Sequence, residues 1–176
     1  MFIRLHKKTL ITFFVSRTVP KENQMQRKET WEIFEDDTKR QWFPRHLYRC
    51  HHETPRYDYR RNYFNSDLLK PDFAFRLRDS SDVFWVECKE RSISAKKTQL
   101  WLFKEGQRSR YLQYGQVLIF IKLLQGEEVK YYLVPLVKLP PRYVELDELS
   151  HYRVWQRDYI RPGLIKNRLA DRPVLR

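Results

Sequence analysis

Apolar and polar positions along this chain repeat at two different periods, and each change of period marks an element. Between 25 and 43, Trp31, Phe34, Thr38 and Trp42 recur at intervals of three and four, which puts them on one face of a helix that Pro44 ends. From 71 to 77 the period drops to two: Phe73, Phe75 and Leu77 face one way and Asp72, Ala74 and Arg76 the other. The polar turn 78–82 leads into 83–89, where Val83, Trp85, Glu87 and Lys89 share a face and Phe84, Val86 and Cys88 share the opposite one. Both faces begin apolar, which predicts a β-hairpin whose second strand is central. Residues 95–114 place Leu100, Phe103, Gln107, Tyr111 and Tyr114 on one stripe and predict a second helix despite Gly106. The continuous apolar run 117–124 predicts a buried strand, and the turn 125–128 returns it as 129–134. With a short strand over 47–50, the order is α, β, β, β, α, β, β, an α/β fold.

The rest of the chain carries less pattern. Residues 1–24 read as an N-terminal strand or docked arm. Their basic start and apolar centre resemble a signal peptide, but Leu10–Val15 is about half a usable apolar core and runs into Arg17. No apolar run nears the roughly 20 residues that a spanning helix needs, so no membrane segment is expected. Residues 25–150 form the expected domain. The segment 151–176 has seven basic residues and little periodicity, and reads as a basic tail that orders on a partner.

Composition narrows the partner. A chain of 176 residues can bury one sizeable core. At 32% charged and 15% aromatic it is too aromatic for a disordered chain and too polar for a membrane protein. Lys and Arg outnumber Asp and Glu by 35 to 22, and the resulting +13 points to a polyanion: DNA in the first place, with RNA left open. Two cysteines, Cys50 and Cys88, without a CxxC fit a reducing compartment, and a cytoplasmic location is expected. No GxxxxGK loop is present, so no built-in ATP-driven motor is expected.

The chemistry lies where the strand pattern is broken. Burying an unpaired charge costs several kcal/mol or more, yet Asp72, Glu87 and Lys89 sit within two core-like strands. Period two puts Glu87 and Lys89 on one face, roughly 6.6 Å apart along the strand, and the hairpin sets Asp72 beside them. Two carboxylates with an ammonium can hold a hard cation, Mg²⁺ or Mn²⁺, and place a lysine near a scissile phosphate. The competing reading is a pair of salt bridges on a sheet with one wet face.

Pro71-Asp72, fourteen residues, then Glu87-Cys88-Lys89 resembles the PD-(D/E)xK, or restriction-endonuclease-like, nuclease superfamily. The resemblance implies a core of helix, three-stranded meander, helix and further strand over about 25–135, with a mixed sheet flanked by helices. It implies that Asp72 and Glu87 bind the metal, that Lys89 assists the attacking water, and that the main-chain carbonyl at Cys88 adds a metal ligand. Gln107-Arg108-Ser109-Arg110-Tyr111 is similar to the QxxxY motif of RecB-type and lambda-exonuclease-type members, which gives Gln107 and Tyr111 places at the site; i, i+4 spacing lets both reach it from one helix face. The family also has a glutamate on its first helix. Glu35, on the apolar stripe, is preferred to Glu32. The superfamily spans restriction enzymes, junction resolvases, repair exonucleases and inactive members.

Arg56, Arg60 and Arg61, interleaved with tyrosines, are candidate phosphate contacts, together with Arg108 and Arg110. Cys50-His51-His52-Glu53 looks metal-like, but neighbours in a strand point apart, and it reads as surface. The resulting expectation is a Mg²⁺-dependent DNA nuclease. A catalytically inactive nucleic-acid-binding module of the same fold, and an interaction protein for an acidic partner, are the alternatives.

Overall fold

The computed structural model describes residues 30–55, 69–155 and 159–170. The expected N-terminal arm, and Arg56, Arg60 and Arg61, lie outside the described residues. A helix over 30–37 (α1) passes into a π-helical turn, Thr38–Trp42, closed by the Phe43 amide donating to the Thr38 carbonyl at 2.9 Å. The stripe read from the sequence faces inward: Phe34, Thr38 and Trp42 are all buried.

Six strands then form one sheet in the order β1-β2-β3-β5-β6-β8. They are β1 (Tyr48–Glu53), β2 (Phe73–Leu77), β3 (Val83–Ile93), β5 (Val117–Gln125), β6 (Glu128–Pro135) and β8 (Arg153–Val154). All neighbours pair antiparallel except β3 and β5, which run parallel from Trp85↔Val117 to Ile93↔Gln125. Helix, antiparallel meander, helix and a parallel further strand follow the order expected from the sequence, an α/β fold with a mixed sheet flanked by helices. β1 is longer than expected and carries a bulge between Cys50 and His52.

The two faces of the sheet differ. Phe73, Phe75, Phe84, Val86, Leu118 and Phe120 pack under α1 in an aromatic cluster, with Phe43 stacked on Phe75 at 4.6 Å and Trp42 edge-on to Phe120 at 5.0 Å. The other face, with Ile119, Ile121, Tyr132 and Val134, is covered by the connection between β3 and β5. Parallel neighbours require such a crossover. Its course corrects the expected helix 95–114. Gln99–Trp101 is instead a strand (β4), paired antiparallel with β7 (Tyr143–Glu145) in a second, two-stranded sheet, and only Gln107–Leu112 is helical (α2). Leu100, Phe103 and Tyr111 are buried as the stripe required. The period fails at 99–101, where only Leu100 points inward, and Gly106 at φ 71° turns the chain into α2 in a conformation that suits glycine.

The segment expected as a tail departs from that reading over its described part. After a single helical turn, Leu146–Leu149 (α3), β8 pairs with β6, and the helix Pro162–Ala170 (α4) buries Ile165 in the aromatic core. Ile160 is locked in place: its amide donates to the Trp42 carbonyl at 2.9 Å, and its carbonyl accepts from the Tyr48 hydroxyl at 2.6 Å. Three buried apolar side chains, Val154, Ile160 and Ile165, dock the segment, while Arg153, Arg161 and Lys166 are exposed. Among the described residues no helix is long and apolar enough to cross a membrane.

Candidate active site

Asp72 stands at the bend just before β2 and is held from two sides. Thr54, at the end of β1, donates its amide to the Asp72 carbonyl at 2.8 Å and its hydroxyl to the Pro71 carbonyl at 2.7 Å. The β2–β3 ladder ends at Phe73↔Val86, and beyond it the Asp72 carboxylate serves as acceptor for the Cys88 amide at 2.7 Å. That contact fixes one carboxylate oxygen against β3.

Glu87 and Lys89 project from β3 into the space under the crossover, 3% and 8% exposed. They form an ion pair, Lys89 Nζ donating to Glu87 Oε1. The same oxygen accepts from Gln107 Nε2 at 3.3 Å, and that amide also donates to the Tyr111 hydroxyl at 2.8 Å. The i, i+4 pair on α2 therefore reaches Glu87 as a unit. Gln107 is itself braced by the Lys104 amide, which donates to its Oε1 at 3.3 Å. Glu87 Oε2 is buried and has no hydrogen-bond partner.

The electrostatics record how closely the acids sit. Burial, then the charge of Glu87, then that of Glu35, holds the Asp72 carboxyl well above the usual carboxylate range, against the lowering effects of the Cys88 amide and Lys89. Burial and then the charges of Glu87 and Asp72 push the Tyr111 hydroxyl far above its ordinary value, so it stays a neutral phenol. Burial and Asp72 raise the Cys88 thiol as well. Its side chain turns to the α1 face, where Sγ lies 3.5 Å from Thr38 Oγ1, so only its main chain looks toward the acids. Of the two first-helix candidates, Glu35 is the one whose charge acts on Asp72 and Cys88.

The other predicted positions separate. Arg108 is half-buried, with Nε donating to the Leu139 carbonyl at 2.8 Å, and Arg110 Nε is buried without a partner. In the Cys50–Glu53 run, Cys50 Sγ donates to the His52 carbonyl at 3.2 Å and Glu53 pairs with Lys39 at 2.6 Å. Three residues around the site were not read as site residues in the sequence, Thr38 being read only as part of the first-helix stripe. Thr38 and Thr54 carry no motif; only the fold brings them to Cys88 and Pro71-Asp72. Arg91 did have a signal, as the next residue on the Glu87–Lys89 face at period two.

No family model matches this chain, and no curated protein sequence does. Among solved structures, the chain is similar to that of Archaeoglobus fulgidus Hjc, a Holliday junction resolvase from an archaeal hyperthermophile. The TM-score is 0.47 and the identity 10%, covering 78% of this chain and 98% of that one.

Among the described residues, no three His, Cys, Asp or Glu side chains form a group able to hold an ion by themselves. A Mg²⁺ ion needs fewer, since it takes one or two carboxylates and completes its shell with water and phosphate oxygens. Asp72 and Glu87 fit that demand. One carboxyl is held above its usual range by burial and then by the charges of Glu87 and Glu35, and the other has a buried oxygen without a hydrogen-bond partner. A divalent cation would relieve both conditions.

Proposed function

We propose that this chain is a metal-dependent nuclease that hydrolyses phosphodiester bonds of DNA. The observation that carries the reading is Glu87: a buried carboxylate with one oxygen shared by Lys89 and Gln107 and the other unpartnered, beside a second carboxyl held above its usual range by burial and then by the charge of Glu87. A purely structural ion pair does not require a second acid, still less a third charge from Glu35. The +13 chain supplies the affinity for a polyanion.

Asp72 and Glu87, with the Cys88 carbonyl and the charge of Glu35, are the residues that would hold Mg²⁺ or Mn²⁺. Such an ion, when bound, supplies a Lewis acid and lowers the pKa of water. The residues of the chain do the rest. The Cys88 amide keeps the Asp72 carboxylate pointed at the site. Gln107, braced by Tyr111 and the Lys104 amide, holds Glu87 Oε1 in place. Lys89, released from full engagement with Glu87, donates to the attacking water and offsets negative charge that grows on the phosphoryl oxygens.

The second reading is an inactive DNA-binding module, favoured by the Glu87–Lys89 ion pair itself, which already neutralises one acid. Incubation with labelled linear, circular and branched DNA in Mg²⁺, in Mn²⁺ and in EDTA decides between them. Cleavage that needs the ion and is lost in Asp72→Asn supports the nuclease. Binding without cleavage in every condition supports the module.

A further inference from the structure

The small β4–β7 sheet presents a different chemistry from the site. Its central pair, Leu100 and Val144, is buried in the core. The neighbouring pair, Trp101 and Tyr143, faces outward, 58% and 56% exposed, with ring centroids 6.4 Å apart at 47°. The two rings border an open cleft of about 530 Å³, whose wall adds Lys104, Arg108 and Arg142 against one acid, Glu105. That volume is within the roughly 300–1,000 Å³ of sites that hold small molecules.

A cross-strand aromatic pair stabilises a two-stranded ribbon by contact of its rings. That role needs neither exposed rings nor three cations lining the same cleft. A nucleotide matches both features: a flat π-face to lie on an indole or phenol, and a phosphate a short distance away for Lys and Arg. In a duplex, neighbouring bases cover those faces, so only an unstacked base can use them.

The cleft is also tied to the site at both ends. Arg91 follows Glu87 and Lys89 on one face of β3, ~13 Å from Glu87 along the strand. Its Nε donates to the Trp101 carbonyl at 3.0 Å and its guanidinium to the Leu102 carbonyl at 2.8 Å. At the other end, Lys104 of the cleft donates its amide to Gln107.

We propose that Trp101 and Tyr143 form a stacking platform for an unpaired base of a DNA strand, with Lys104, Arg108 and Arg142 at its phosphates. The proposal rests on the nuclease reading and narrows its substrate to DNA with a single-stranded end, flap or branch.

The test is anisotropy of a short fluorescein-labelled single strand and of the matching duplex, in EDTA, with the full chain. The proteins are wild type, Trp101→Ala, Tyr143→Ala and Trp101→Phe, each checked by a melting curve. Trp101→Ala weakens single-strand binding about tenfold or more, Trp101→Phe restores most of it, and duplex binding changes by less than about twofold. Unchanged single-strand affinity in both alanine variants overturns the platform, as does an equal loss on the duplex. Tighter binding of the same strand as RNA overturns the DNA assignment. Sedimentation showing that the pair seals a dimer of this chain overturns it too. Cleavage in Mg²⁺ is scored separately. If the Trp101→Ala difference persists but wild type cuts nothing, the platform stands and the nuclease reading fails. If wild type cuts and stacking makes no difference, the reverse holds.

Discussion

The two faces of the central sheet are built from the same strands and behave as opposites. On the α1 side, alternate residues of β2, β3 and β5 give Phe73, Phe75, Phe84, Val86, Leu118 and Phe120, an apolar layer with ring on ring. On the crossover side, the intervening residues of β3 are Trp85, Glu87, Lys89 and Arg91, and the residues opposite are Ile119 and Ile121 of β5. Both faces bury an apolar cluster, but among the described residues the buried charges, Glu87 and Lys89, are on the crossover side. The rigidity of the sheet keeps them in place beside Asp72. The lesson is that period two lets a single strand be core and chemistry at once, with each role confined to its own parity.

If the parities are independent in this way, substitutions should separate cleanly. The largest effect belongs to the charged face. Asp72→Asn and Glu87→Gln keep shape and remove metal-binding charge, and each lowers Mg²⁺-dependent cleavage by about 100-fold or more. DNA binding is largely kept, because affinity comes from Lys and Arg at phosphates. Strand cleavage measured beside binding checks both halves. A variant that still cuts at the wild-type rate removes that residue from the site.

On the apolar face, Phe120→Ala empties a fully buried position and costs about 3–5 kcal/mol in a denaturant melt. Cleavage per folded molecule at low temperature stays near wild type. A matching collapse of activity without unfolding would show that the faces are coupled.

Gln107→Ala is smaller. It frees Glu87 Oε1 and the Tyr111 hydroxyl from one shared amide, lowering turnover about tenfold while costing ~1 kcal/mol of stability. Tyr111→Phe, which keeps the ring and loses only the brace, falls between it and wild type. Turnover in Gln107→Ala equal to wild type would reduce the QxxxY pair to packing.

The mildest effect is a pH dependence. Asp72 is raised in the folded chain, so between its ordinary range and its folded value the native state binds more protons than the unfolded one. Stability therefore falls as pH rises through that window. In EDTA, Asp72→Asn raises the melting temperature at neutral pH by about a few degrees, and the gain disappears below the ordinary carboxylate range. Added Mg²⁺ stabilises wild type and not the variant. A melting difference that ignores pH would mean that Asp72 is not strained by its neighbours.

What could be read from the sequence follows the same division. The β2–β3 hairpin was legible because alternation over 71–89 is long and the turn residues are polar, and it fixed the parity of Glu87 and Lys89 correctly. The helix expected over 95–114 failed because Leu100, Phe103, Gln107 and Tyr111 satisfy a helical stripe by coincidence, while the true alternation at β4 lasts three residues and depends on Tyr143–Glu145, some forty positions on. The docking of 153–170 was hidden for a related reason: Val154, Ile160 and Ile165 are lone apolar residues among charges, and only the edge of β6 and the Trp42 carbonyl give them places. At the candidate site, the strand face shared by Glu87 and Lys89 was readable. The Cys88 amide on Asp72 and the orphaned Glu87 oxygen were not, since both come from where the ladder stops rather than from any residue pattern.

The same hairpin has a consequence for the order of assembly. Asp72 stands just before β2 and Glu87 lies on β3, strands joined by a five-residue turn, so the two acids are brought together by one of the earliest contacts a chain can make. Lys89 is in that hairpin too, but Gln107 and Tyr111 join only when β5 has found β3 across the crossover, a closure of much higher sequence separation. While the hairpin is open, water still reaches both acids, so the cost of burying Asp72 arises late, when the crossover closes over the site and brings Gln107 and Tyr111 with it. Slowing that closure, for instance by lengthening the loop before α2, would leave a hairpin that opens again before its neighbours arrive.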